Sequence, residues 1–142
     1  MLKTFSNRTR KGSLLLATLL LVLGLPSCGG GGNALAPQFQ PEVSNLTDNF
    51  QFQTTGIQDI TQNLQYTWQN TGIAANINQA SAVAGGTAIL TIRDSAGVSV
   101  YSADLINNGS FVSATGATGN WTIQVSLTNV SGTLNFRVQK RP

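Results

Sequence analysis

The chain has 142 residues, a formal charge of +3, a single cysteine and no histidine, and only 9% of its residues are charged. That length fits one small core and leaves no room for a second domain. Without histidine, and with Cys28 alone, Ser-His and Cys-His nucleophilic pairs and the usual zinc ligand sets are excluded.

The chain opens with "MLKTFSNRTRKGS", which carries Lys3, Arg8, Arg10 and Lys11 and no acid, and continues as "LLLATLLLVLGL" from Leu14 to Leu25. A basic start followed by an apolar run is the order of a secretory signal. An apolar helix of this length spans about 18 Å, short of the ~30 Å hydrocarbon core, so a permanent membrane span is the weaker reading. Thr9 separates Arg8 from Arg10, which removes the adjacent pair used in folded-protein export. Export as an unfolded chain is expected.

The residues that follow, "LPSC" (Leu25, Pro26, Ser27 and Cys28), resemble the lipobox of bacterial lipoproteins. The resemblance implies that Cys28 receives diacylglyceryl on sulfur and becomes the first residue of the mature chain. It also implies export, anchoring to a membrane by lipid and, with no aspartate just after Cys28, transfer to the outer membrane where a cell has two. The alternative is an ordinary signal cut elsewhere, which leaves an unpaired thiol in an oxidising compartment. Gly29 to Gly32 supply a flexible spacer, and Pro37 and Pro41 continue an extended lead-in. The expected division is a signal peptide at 1–27, a lipidated cysteine and tether at 28–48, and a β-sandwich at 49–142.

Removal of the first 27 residues overturns the whole-chain charge. Four basic side chains then face five acidic ones, and Ser, Thr, Asn and Gln make up 45 of the remaining 115 residues. The basic pI of about 9.5 therefore belongs to the precursor and gives no argument for nucleic acid.

Downstream, period-two alternation dominates. "FQF" places Phe50 and Phe52 on one face, "LQYTW" does the same for Leu64, Tyr66 and Trp68, and "IAANINQASAV" does so for Ile73, Ala75 and Ile77. "TAILTIRDSAGVSVYSADL" reads as a hairpin in which Ala88, Leu90 and Ile92 lead into a turn with Asp94 and Gly97, and Val98 and Val100 lead out. The stretch between Leu105 and Asn120 reads mainly as loop, with a short strand around Phe111 and Val112. "WTIQVSLT" sets Trp121, Ile123, Val125 and Leu127 against polar neighbours, and "TLNFRVQ" sets Leu134, Phe136 and Val138 inward with Asn135, Arg137 and Gln139 outward. "NVSG" between these two strands reads as the turn of a hairpin.

Seven or eight short strands without a helical period predict an all-β fold, a single antiparallel β-sandwich with jelly-roll or Ig-like Greek-key connectivity. "GGTAILTIRDSAGVSVYSADL" and "GNWTIQVSLTNVSGTLNFRV" look like the strand and turn cadence of jelly-roll domains appended to secreted bacterial proteases. That resemblance implies a fold and carries no activity.

Glu42, Asp48, Asp59, Asp94 and Asp104 are candidates for paired acid and base work, but their scatter reads as turn positions, and the chain is expected not to be an enzyme. A structural calcium at Asp94 or Asp104 lacks the dense acidic loop such sites need. No cofactor or metal is implied. Trp121, Trp68 and Tyr66 are in phase with core residues, whereas Tyr101 is expected to point outward and Phe111 to lie in a loop. Those two are the candidate residues for surface recognition. "NLT", "NGS", "NWT" and "NVS" at Asn45, Asn108, Asn120 and Asn129 match the glycosylation acceptor pattern and read as strand and turn residues.

The expected function is a noncatalytic, lipid-anchored module of the cell envelope that presents a protein- or glycan-binding surface. Assembly through edge-strand pairing is the alternative, and a small carboxylate-dependent glycan-processing enzyme ranks last.

Overall fold

The computed structural model describes Leu35 and residues 37–142, so Leu25, Pro26, Ser27 and Cys28 lie outside the described residues. A 3-10 turn at Pro37–Phe39 precedes seven strands: β1 (Glu42–Leu46), β2 (Asn49–Asn70), β3 (Ala75–Gln79), β4 (Ala82–Arg93), β5 (Ser99–Asp104), β6 (Gly109–Val112) and β7 (Gly119–Lys140). Every pairing is antiparallel. No helix among the described residues is long and apolar enough to cross a membrane.

The architecture follows from two strands of 22 residues, β2 and β7, which pair along their whole length. On the other edge of β7, β3 and β4 run in line, separated only by Ala80 and Ser81. This three-stranded ribbon doubles over at its middle. One leaf has the order β1, first part of β2, last part of β7, β3, β6; the other has the second part of β2, first part of β7, β4, β5. The result is an antiparallel β-sandwich with jelly-roll order.

The corner is made by bulges, each of which inserts a residue and bends its strand. In β2 the register shifts between Thr54 and Gln62, in β4 between Val83 and Thr87. Positive φ angles mark the same places: Gly56 and Asp59 in β2, Gly86 in β4, Asn129 and Gly132 in β7. At Gly132 (φ 132°) a Cβ would run into the carbonyl oxygen of Ala82, and at Gly86 (φ 76°) into the backbone of Thr128 and Asn129. Side chains replace the missing ladder bonds. Ser131 Oγ accepts from the Asp59 amide at 2.9 Å, and Thr61 Oγ1 accepts from the Asn129 amide at 2.9 Å.

The bulge in β7 also explains its core pattern. Trp121, Ile123, Val125 and Leu127 are buried at odd positions, whereas Leu134, Phe136 and Val138 are buried at even ones. One inserted residue exchanges the two faces of a strand. The sequence-predicted hairpin at "NVSG" is therefore a corner within one continuous strand. Turns and bulges both favour residues that tolerate positive φ, which is why the two look alike in sequence.

Inside, the two leaves meet through aromatics. Within one leaf Phe52 stacks on its cross-strand partner Phe136 at 5.1 Å between ring centroids, while Phe50 packs across the sandwich on Tyr66 at 5.4 Å. Trp68 and Trp121, cross-strand partners, meet edge to face at 5.9 Å, and both are fully buried. Their indole N–H groups donate to the carbonyls of Leu46 and Ala117 at 3.1 and 2.7 Å, so neither ring leaves a polar atom unpaired.

Opposite the corner, the strand ends are tied together by two aspartates. Asp48 (φ 65°) accepts from the Thr71 amide at 2.7 Å, the Thr71 hydroxyl at 2.8 Å and Lys140 Nζ at 2.8 Å. Lys140, above all, and the Thr71 amide hold the Asp48 carboxyl down from its ordinary 3.8 to about 2. Asp94 accepts from the amides of Ala96, Val98 and Ala117 at 3.0, 2.8 and 2.8 Å. The Ala117 amide is the largest cause of its lowered pKa.

Three expectations are corrected. The folded part begins before residue 49, because β1 pairs with β2 and Leu35 is buried; Thr54 Oγ1 also holds the carbonyl of Phe39 at 3.1 Å. Val98 is exposed whereas Val100 is buried, because the register shifts at Ile92 and Arg93. That same shift sets Tyr101 opposite the buried Ile92, on the inward side of the β4–β5 pair, and Phe111 lies on β6 opposite the buried Ile77.

Candidate ligand-binding surface

Alternation that buries one face of each strand turns the other outward, and here the outward residues are mostly uncharged and polar, with Leu46 and Val112 as exposed apolar exceptions. On the β1–β2–β7–β3–β6 leaf the register aligns Ser44, Gln51, Arg137, Asn78 and Ser110 in one row across five strands. At the usual interstrand spacing this row is about 19 Å wide. Glu42, Gln53 and Asn135 form the row on one side; Leu46, Asn49, Gln139, Asn76 and Val112 form that on the other. Arg137 sits at the middle, exposed, with Nη2 donating to Gln51 Oε1 at 3.2 Å. Ser110 Oγ donates to Asn78 Oδ1 at 2.6 Å. A shallow trough of about 230 Å³, lined by Glu42, Val43, Ser44, Gln51 and Gln53, adjoins this row on the β1 side.

The other leaf has hydroxyls where this one has amides. Gln65, Gln124, Thr91 and Ser102 make one row, and Thr67, Thr122, Arg93 and Ser99 the next. Several of these groups satisfy each other: Thr91 and Ser102 hydroxyls are 3.2 Å apart, and Gln124 donates to Ser126 Oγ at 3.2 Å. Arg93 Nη1 turns back to the carbonyl of Gly97 at 3.4 Å. Fewer donors and acceptors on that face remain for a ligand.

The five acids do not converge on a cleft. Asp48 and Asp94 hold the closed end, Asp59 accepts from the Ser131 hydroxyl at 3.3 Å at the corner, and Asp104 accepts from the Ile106 amide at 3.1 Å in the β5–β6 turn. Glu42 lies on β1 at the edge of the amide-rich leaf. Among the described residues, no three His, Cys, Asp or Glu side chains are grouped to hold a metal. Both oxygens of Asp94 are already engaged by backbone amides, which leaves it a poor calcium ligand.

Tyr101 and Phe111 are brought together, with ring centroids 5.9 Å apart, but as part of the wall between β5 and β6. The Tyr101 hydroxyl is 2.9 Å from the buried Gln79 amide, and burial raises its pKa. They close the seam between the leaves and offer no flat exposed platform. Trp68 and Trp121 are fully buried and Tyr66 is half-buried, in line with the sequence phase. No aromatic ring is among the exposed large side chains of the described residues. The exposed groups of this face are amides, hydroxyls and Arg137, with Leu46 and Val112 as exposed apolar side chains.

Alternation in "TLNFRVQ" already turned Asn135, Arg137 and Gln139 outward. What the sequence lacked was the pairing that sets Arg137 between Gln51 and Asn78, residues 86 and 59 positions away in the chain. No local pattern encodes that. Comparison with known proteins finds no matching family model and no matching curated protein.

Proposed function

We propose that this protein is a noncatalytic, lipid-anchored module of the cell envelope, held by Cys28 and presenting the outer face of the β1–β2–β7–β3–β6 leaf to a glycan or protein ligand. The observation that supports this reading best is the five-strand row from Ser44 to Ser110, whose hydroxyls, amides and single guanidinium lie on a broad, nearly uncharged face. Such groups form many directional hydrogen bonds without the desolvation cost of clustered charges. A diacylated cysteine confines the domain near a bilayer and raises its effective concentration toward neighbouring envelope components. The engagement of four of the five acids in turns and at the corner favours binding over catalysis.

A second reading, assembly by strand addition, draws on β1. All five of its residues are exposed, and it carries neither lysine nor proline to discourage pairing. The full chain in neutral-lipid nanodiscs, assayed against purified envelope polysaccharide and envelope protein, separates the two. Asn78→Ala with Gln51→Ala removes amides of the leaf face, and Asn45→Pro, outside the face rows and with its N–H turned away from β2, blocks the β1 edge. Loss of binding with the alanine pair alone supports the face; loss with the proline alone selects strand pairing. Binding unchanged by both sinks both.

A further inference from the structure

Resting on the reading of this leaf as the ligand surface, we propose that it takes an acidic polysaccharide, in which a carboxylate on a sugar ring pairs with Arg137 and ring hydroxyls bond the flanking amides of Gln51, Gln53, Asn78 and Asn135.

Charge complementarity carries this choice. Among the described residues the ion pair is Asp48 with Lys140; Arg93 folds back on its own turn. Arg137 stands in mid-sheet with one side-chain hydrogen bond, to a neutral glutamine. A guanidinium has five N–H donors in a planar fork, and a carboxylate matches two of them at once. Gln51 takes one donor and holds that fork over the sheet. Each neighbouring amide carries both a donor and an acceptor, as a sugar hydroxyl does, so a line of amides suits a chain of hydroxyl-bearing rings. The acid on this face, Glu42, lies on the edge strand β1, two strands from Arg137 and in the next row, where it lines the trough. There it accepts hydroxyl protons without facing the carboxylate. The absence of an exposed aromatic among the described residues makes hydrogen bonding and charge the basis of recognition and ring stacking a minor part.

The test uses the full chain in phosphatidylcholine nanodiscs, flowed over immobilised polygalacturonate, dextran and polyglutamate. The wild type is expected to bind polygalacturonate, with weakening by salt, and dextran and polyglutamate far less. Arg137→Gln should reduce polygalacturonate binding by about tenfold or more, as expected for loss of a charge-assisted bidentate contact; Arg93→Gln should leave it within about twofold and serves as the charge control. Arg137 is exposed, so an unchanged thermal midpoint verifies that the variant folds. Equal binding to dextran, equal binding to polyglutamate, indifference to Arg137→Gln, or no binding to polygalacturonate each overturns the inference. A ligand found in the envelope assay above would leave the broader surface reading standing in any of those cases.

Discussion

The two ends of the sandwich solve opposite problems with different chemistry. At the corner, three strands must bend together, and the backbone does the work: bulges, positive φ angles, and glycines pressed against neighbouring carbonyls. At the closed end, strand ends must be held, and carboxylates do it, with Asp48 and Asp94 collecting amides and a lysine. The corner therefore depends chiefly on backbone conformation, whereas the closed end depends also on the ionisation of Asp48 and Asp94. The outer face between them takes part in neither task.

The largest expected effect is at the corner. Gly132→Ala puts a Cβ against the Ala82 carbonyl at a φ that L-residues rarely adopt, and is expected to destabilise by more than about 4 kcal/mol, measured by urea denaturation. Between the ends, Phe136→Ala removes a ring stacked on Phe50 and Phe52 and should cost about 3–5 kcal/mol. Asp94→Ala comes next. It orphans the amides of Ala96, Val98 and Ala117, so hydrogen exchange should accelerate at those amides while the Asn129 amide at the corner stays protected.

The pH dependence separates the ends further. Because the Asp48 carboxyl falls from 3.8 to about 2 on folding, the unfolded chain binds more protons in that window, and stability rises with pH there. The contribution is complete above the unfolded value and is lost as pH falls through the folded one. Urea midpoints measured between about pH 5 and pH 2 should drop for the wild type and drop less for Asp48→Asn. The smallest effect is expected for Lys140→Met, which removes a partly exposed ion pair and should lower the midpoint only slightly, with the change fading in high salt.

The comparison also shows what was legible in the sequence. Strand faces were readable wherever alternation ran unbroken: Leu134, Phe136 and Val138 are buried and Arg137 is exposed, as their phase required. The β4–β5 hairpin was readable because Asp94 and Gly97 close it through their own backbone at 3.0 Å. The corner was misread as a turn because Asn129 and Gly132 serve a bulge with the chemistry of a hairpin. Tyr101 was placed outward because the bulge at Arg93 changes the phase of β5 relative to β4, and a bulge leaves no count in the sequence. Little of the candidate site was visible: alternation turned Asn135 and Arg137 outward, but Ser44 was assigned to the tether and Ser110 to a loop, and the row they form depends on pairings between distant strands.

We propose that Cys28 carries a lipid that holds this domain at a membrane. The most direct measurement is the intact mass of the membrane-extracted protein beside a Cys28→Ala variant. A chain beginning at Cys28 with added lipid mass is expected, both features lost in the variant. An unlipidated chain cut at another site would contradict it.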